Sequence, residues 1–219
     1  MAGRYGMMPK TYLADIGNSY FHIYDGECVE HLSYADAMNK YATEKMLYIS
    51  VKHELGEQIA SIKCWKDIAS KIYLENQYET MGIDRKALCL SHKEGVFIDA
   101  GSAITVDVVK DGKYVGGFIL PGIKAYLESY KSISSVLDIN IDKALSLSRL
   151  PTTTKEQISY GIIASIKALI EKHSDGKNLY FTGGDGAFLS TFFKEANYDE
   201  TLVFKGMQKA LSIVTIKDK

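Results

Sequence analysis

The chain has 219 residues, is 46% hydrophobic and carries a formal net charge of -1. That is enough apolar material for one large domain or two small lobes. With no Lys/Arg block, the charge gives no basic surface for nucleic acid or anionic membrane, and no apolar run approaches the ~20 residues of a membrane span.

In chain order, Met1 to Lys10 lacks the apolar segment of a signal peptide. It is set aside as a short native extension or an expression remnant. Strands are expected near 11–16, 19–24 and 28–34, then a polar helix over 35–44. Met46-Leu47-Tyr48-Ile49-Ser50-Val51 reads as a buried strand. A short helix from His53 to Ile59 and a strand at Ile62-Lys63-Cys64-Trp65 follow, and 66–80 has ambiguous periodicity. Strands recur near 95–100, 103–109 and 113–120, the last stopped by Pro121-Gly122. Ile123, Tyr126, Leu127, Tyr130 and Ile133 mark an amphipathic helix. Thr153 or Thr154 caps a long helix to about Lys172, with Ile158, Ile162, Ile166, Leu169 and Ile170 on its buried side. Asn178 to Phe181 is a strand, a helix follows from Ala187, and Met207 to Val214 forms a closing helix. Strand-rich and helix-rich blocks thus alternate twice, and no Pro/Gly/Ser linker divides them. Cys28, Cys64 and Cys89 are odd in number and lack Cys-x-x-Cys spacing, so they fit a reduced, cytoplasmic setting as small buried hydrophobes.

One pattern occurs twice. Asp15-Ile16-Gly17-Asn18-Ser19 follows an apolar stretch, as does Asp99-Ala100-Gly101-Ser102-Ala103. Each runs into a second extended segment and then an Asp-Gly pair, Asp25-Gly26 or Asp111-Gly112, a hairpin signal. Glycine at such a turn lets backbone amides face phosphate oxygens, while the acid beside it would act through a cation or a water. Two facing copies would grip a nucleotide polyphosphate. For a single copy ordinary turn chemistry is the better explanation; repetition favours the phosphate-loop reading. Gly183-Gly184-Asp185-Gly186 ends another strand and is either a tight connection or a wall for the nucleoside. No Gly-x-x-x-x-Gly-Lys-[Ser/Thr] occurs, which excludes a Walker-type NTPase. In Gly82-Ile83-Asp84-Arg85 the acid and base are either a surface ion pair at a helix start or a site. In a site, the guanidinium would hold a carboxylate and the aspartate would accept a proton.

In their joint order, the two Asp-x-Gly motifs, Gly82 to Arg85, Gly117 to Gly122, Thr154 to Gly161 and Phe181 to Gly186 resemble the type III pantothenate kinases from Tyr12 to about Leu211. The resemblance implies two ribonuclease-H-like lobes, 11–94 and 95–219, of the acetate- and sugar-kinase, Hsp70 and actin superfamily, usually in a homodimer. It implies ATP-dependent phosphorylation of pantothenate to 4′-phosphopantothenate, the first step toward coenzyme A, with Mg2+ accompanying ATP. Asp84 would be the general base; Gly82, Ile83, Asp84, Arg85 and Thr154 would bind pantothenate, with Arg85 on its carboxylate. Asp15, Ile16, Gly17, Asn18, Ser19 and Ser102 would contact ATP phosphates, Gly183 and Gly184 would lie near the nucleoside, and Asp99 would bind potassium or ammonium. Ser102 stands where threonine is usual and keeps the hydroxyl. The chain leaves little helix between Arg85 and Gly95, and it departs from the family at the substrate tyrosine, a place for which Tyr78, the nearer, and Tyr73 compete. Another small-molecule kinase or phosphatase of this fold, or a non-catalytic regulator, is the alternative.

Overall fold

The computed structural model describes residues 10–217, so the expected extension at Met1–Pro9 lies outside the described residues. The chain divides into two compact units, one running to Ser91 and resuming at Thr201, the other His92–Glu200.

The first unit opens with β1 (Thr11–Ile16), β2 (Phe21–Tyr24) and β3 (Val29–Leu32). Helix α1 (Tyr34–Tyr41), β4 (Lys45–Ser50), α2 (Gly56–Ala60), β5 (Trp65–Asp67) and α3 (Ile83–Leu90) follow. The sheet order is β3-β2-β1-β4-β5. β2 is antiparallel to β1 and β3, whereas β4 is parallel to β1 and β5. The centre of the sheet is the most apolar: Leu13, Ala14, Ile16, Met46 and Ile49 are buried, as a strand flanked on both sides requires. Ser33 caps α1, accepting from the Asp36 amide at 3.2 Å. Trp65 anchors β5, its Nε1 donating to the Tyr41 carbonyl at 3.0 Å.

The second unit repeats this plan with β6 (Gly95–Ala100), β7 (Ala103–Lys110), β8 (Lys113–Pro121), α4 (Ile123–Ile133), α5 (Thr154–Ser174), β9 (Leu179–Thr182), α6 (Gly186–Ser190) and β10 (Ala196–Tyr198). Its sheet runs β8-β7-β6-β9-β10, antiparallel through β6 and parallel beyond it. The sequence repeat is therefore a repeat of strand order and direction. Ile158, Ile162, Ile163, Ile166 and Ile170 of α5 pack on Val96, Ile98, Ala100, Ile104 and Val106. A final helix, α7 (Leu202–Lys217), groups with the first unit and packs on α3.

Several expectations are corrected. The lobe boundary at 95–219 fails at its end, because α7 packs with α3. Strand β5 begins at Trp65 rather than Ile62, since Ile62 closes the turn after α2 by donating to the Ile59 carbonyl. No sequence pattern marks the short strand β10, and α3 continues to Leu90 in the stretch expected to hold little helix. Leu169 and Ile133 are 37% and 72% exposed, so the helix stripes are narrower than their periodicity implied. Of the cysteines only Cys89 is buried; Cys28 is exposed in a turn, and Cys64 donates to the Ala42 carbonyl. The two Asp-Gly turns also differ. Asp111 and Gly112 both have positive φ, as a tight hairpin demands, whereas Asp25 accepts from the amides of Glu27 and Cys28 at 2.8 Å and leaves positive φ to Gly26 alone.

Candidate active site

In the first unit, Asp15 sits near the end of β1 and is 9% exposed. The chain then turns sharply: the Gly17 amide donates to the Tyr20 carbonyl at 3.1 Å, and the Tyr34 hydroxyl donates to the Gly17 carbonyl at 2.9 Å. Ile16 is buried in the core while Asn18 and Ser19 are exposed. A buried aliphatic anchor thus holds an exposed polar turn at the carboxyl end of a strand, where α/β folds place ligands.

The same unit carries Gly82-Ile83-Asp84-Arg85 at the start of α3. Gly82 is the N-cap, and Asp84 folds back so that its Oδ1 accepts from the Arg85 amide at 2.8 Å. A Cβ on Gly82 would stand 2.5 Å from that oxygen, so glycine is what admits the folded-back carboxylate. Arg85 is only 7% exposed, and its Nη1 donates to the Tyr78 hydroxyl at 2.7 Å. The guanidinium lies 5.9 Å from that ring, a cation–π distance. Tyr73 is 68% exposed, so of the two candidate tyrosines the geometry joins Tyr78 to Arg85. A buried guanidinium with a half-exposed phenol is far from a surface ion pair.

In the second unit, Asp99 is the last residue but one of β6, directly across from Thr105 of β7 and Thr182 of β9. The turn closes through the Gly101 amide on the Ala103 carbonyl at 3.0 Å, matching the first unit one residue shorter. Gly183, at φ 85°, packs onto this turn; a Cβ there would overlap Asp99 Oδ1 and lie 2.5 Å from the Ala100 carbonyl oxygen. The Asp185 amide donates to that carbonyl at 2.9 Å, and burial pushes the Asp185 carboxyl up. Gly122, N-cap of α4, donates to the Ser102 carbonyl at 3.2 Å. The glycine turns at 101, 122 and 183 therefore meet, leaving Ser102 and Gly184 exposed. Gly183→Ala is expected to cost about 2–4 kcal/mol, from strained φ plus overlap with backbone. Gly184→Ala, with nothing within 4 Å, should cost under about 0.5 kcal/mol. Urea unfolding of the two variants reads the contrast, and equal midpoints would refute it.

Thr153, not Thr154, is the α5 cap: its hydroxyl accepts from the Glu156 amide and donates to the Glu156 carboxylate at 2.8 Å. Thr154 is exposed and not used as the cap.

Sequence reasoning missed three groups. Asp107 is fully buried, and a Cβ on Gly117 would lie 2.6 Å from its Oδ1 and 3.0 Å from the Tyr114 hydroxyl. Thr105 Oγ1 is buried without a hydrogen-bond partner among the described residues. His22 and His31 face each other across β2 and β3, with Nδ1 atoms 2.6 Å apart. Strand alternation around Asp99 would have pointed to Thr105 and Asp107; the histidines become neighbours only through strand register.

Twin units of this topology, each with an Asp-x-Gly turn at the end of its first strand, have the two-lobed fold of the acetate- and sugar-kinase, Hsp70 and actin type. At the level of fold alone, a candidate 2-dehydro-3-deoxygalactonokinase from Sinorhizobium meliloti aligns with TM-score 0.57 at 12% identity, over 93% of this chain and 96% of its own. Closer likeness fixes the family. Residues 58–175 match the model of type III pantothenate kinase. The type III pantothenate kinase of Helicobacter hepaticus is 44% identical over 201 residues, 91% of this chain and 97% of that protein. The chain belongs to the type III pantothenate kinase family. A crystal structure of a conserved candidate Baf family transcriptional activator from Campylobacter jejuni aligns with TM-score 0.84 at 37% identity, over 93% of this chain and 98% of that one.

Proposed function

We propose that this protein transfers the γ-phosphoryl group of ATP to the primary hydroxyl of pantothenate, giving 4′-phosphopantothenate and ADP, the first step of coenzyme A synthesis. The observation that carries this reading is the Gly82–Arg85 start of α3, where a folded-back carboxylate stands beside a buried guanidinium, in a chain that belongs to a pantothenate kinase family.

Arg85 binds the pantothenate carboxylate, with Tyr78 fixing the guanidinium and Gly82 and Ile83 lining the approach. Thr154 contributes a hydroxyl to the same substrate. Asp15, Ile16, Gly17, Asn18, Ser19 and Ser102 contact the phosphates, and Gly183 and Gly184 lie near the nucleoside. Phosphoryl transfer needs alignment and charge neutralisation more than covalent help. An alcohol is too weak an acid to be deprotonated in advance, so Asp84 orients the hydroxyl and accepts its proton late in the transfer.

Mg2+ enters with ATP, and Asp99 holds a monovalent cation, potassium or ammonium. The second unit's residues suit a hard cation, which takes oxygen ligands: the Asp99 carboxylate has a buried, unsatisfied hydroxyl, Thr105 Oγ1, directly across the ladder. When bound, such a cation supplies positive charge beside the phosphates. Among the described residues no helix is long and apolar enough to cross a membrane. We read the protein as a cytoplasmic homodimer that binds neither nucleic acid nor membrane. The Baf description of the Campylobacter jejuni structure is what favours the alternative, a transcriptional regulator; the net charge of -1 argues against DNA as its ligand.

A coupled assay with pantothenate and Mg-ATP, in potassium and in sodium, tests the reading. Potassium-stimulated ADP release is expected, and Asp99→Asn should abolish the preference for potassium. A folded protein that releases no ADP with pantothenate would overturn the assignment.

A further inference from the structure

The face of the first sheet that carries Asp15 also carries an imidazole pair. Asp15 lies directly across from His22 on β2, and His22 directly across from His31 on β3. Side chains at directly opposed positions share a face, so the three form a row leading from the sheet edge to the Asp15–Ser19 turn. His22 is half-buried and His31 exposed. The His22 ring has two distinct ends: Nδ1 meets His31 Nδ1 at 2.6 Å, while Nε2 and Cδ2 lie 3.8 and 4.0 Å from where a Cβ on Gly17 would be. One nitrogen thus faces its partner histidine and the other faces the turn.

Two nitrogens at that distance share a single proton, one donating and the other accepting. If His22 accepts at Nδ1, its own proton sits on Nε2 and faces the turn. If it donates, a lone pair faces the turn, which would repel an anion there. Burial, with the nearby His31 adding to it, pushes the His22 imidazole down to about 4, so it is neutral near pH 7 and has one N–H to place.

We propose that His22 is a further phosphate-binding residue: His31 donates to its Nδ1, fixing the tautomer in which Nε2–H faces Gly17 and hydrogen-bonds a phosphate oxygen of the bound nucleotide. The inference rests on the nucleotide reading of the Asp15–Ser19 turn. It adds a side-chain donor to a turn whose Gly17 amide is committed to the Tyr20 carbonyl. A role in packing alone would be served equally by valine, which suits a strand.

The test is calorimetric titration of Mg-ATP into wild type, His22→Val, His22→Gln and His31→Val, with thermal unfolding of each. Loss of a hydrogen bond to a charged oxygen should weaken Mg-ATP binding by about ten-fold in His22→Val. Glutamine, which keeps an N–H at the distal position, should recover to within about three-fold of wild type on the same scale. His31→Val should lie between them. Long-range proton–nitrogen spectra of histidine-labelled protein should place the His22 proton on Nε2 in wild type and show both tautomers in His31→Val. Equal weakening by valine and glutamine, unchanged affinity in His22→Val, or a proton on His22 Nδ1 would each overturn the proposal while wild type still binds Mg-ATP. A wild type that binds no Mg-ATP would overturn the nucleotide reading and this inference with it.

Discussion

Asp84→Asn is expected to lower kcat by roughly 10²–10⁴-fold, the usual worth of a positioned proton acceptor, with little change in KM for either substrate. The substitution isolates the chemistry because the side-chain amide is nearly isosteric. Its oxygen can still accept from the Arg85 amide, as Asp84 Oδ1 does at 2.8 Å, so the start of α3 keeps its local bond. Gly82 leaves room for either side chain. What is lost is the negative charge and the capacity to take the hydroxyl proton. Thermal unfolding should shift little, since the group is only partly buried and its removal leaves no large cavity. Steady-state kinetics on a folded variant check the point, and a kcat near wild type would remove Asp84 from the proton-acceptor role proposed for it.

The twofold repeat was legible because its punctuation is local. Gly17 and Gly101 follow buried strands, and the Asp-Gly pairs at 25–26 and 111–112 close hairpins by rules that need no tertiary context. Helix α5 was equally readable, from a threonine cap and an isoleucine stripe. Contacts made by residues far apart in sequence were hidden. The His22–His31 pair depends on strand register, and the seating of Gly183 on Asp99 depends on β9 lying beside β6. The buried side of Arg85 could not be read from Asp-Arg adjacency, which fits a surface ion pair just as well; its partner Tyr78 lies in a stretch of no clear periodicity. The periodicity of Met207 to Val214 marks helix α7 as an element, but nothing local there records that the chain has returned to α3.

That return hangs on one glycine, and Gly206→Ala is where two simple expectations conflict. Alanine is favoured over glycine in a helix interior by about 1 kcal/mol, so propensity alone predicts a more stable protein. Packing predicts the reverse. A Cβ at Gly206 would overlap the carbonyl oxygen of Ala87 in α3 and stand 2.6 Å from its carbonyl carbon. Ala87 is itself fully buried, and Met207, Phe204 and Leu202 on α7 are at most 2% exposed, so neither helix can pivot without opening the core. Phe204 is further held by stacking on Tyr24, with centroids 5.2 Å apart. The obstacle is backbone, which cannot rotate away as a side-chain tip would, so the helices must separate. Overpacking of this kind costs about 3 kcal/mol or more, and the net loss expected is about 2 kcal/mol, a large part of a typical domain's stability. Urea unfolding gives the sign directly: a higher midpoint would mean that α7 sits on α3 loosely enough to yield. Because α3 begins with Gly82, Ile83, Asp84 and Arg85, a shift forced at Ala87 is passed, one helical turn away, to the groups proposed to bind pantothenate. The variant should therefore lose turnover at temperatures where it is still folded, and its KM for pantothenate should rise more than its KM for ATP.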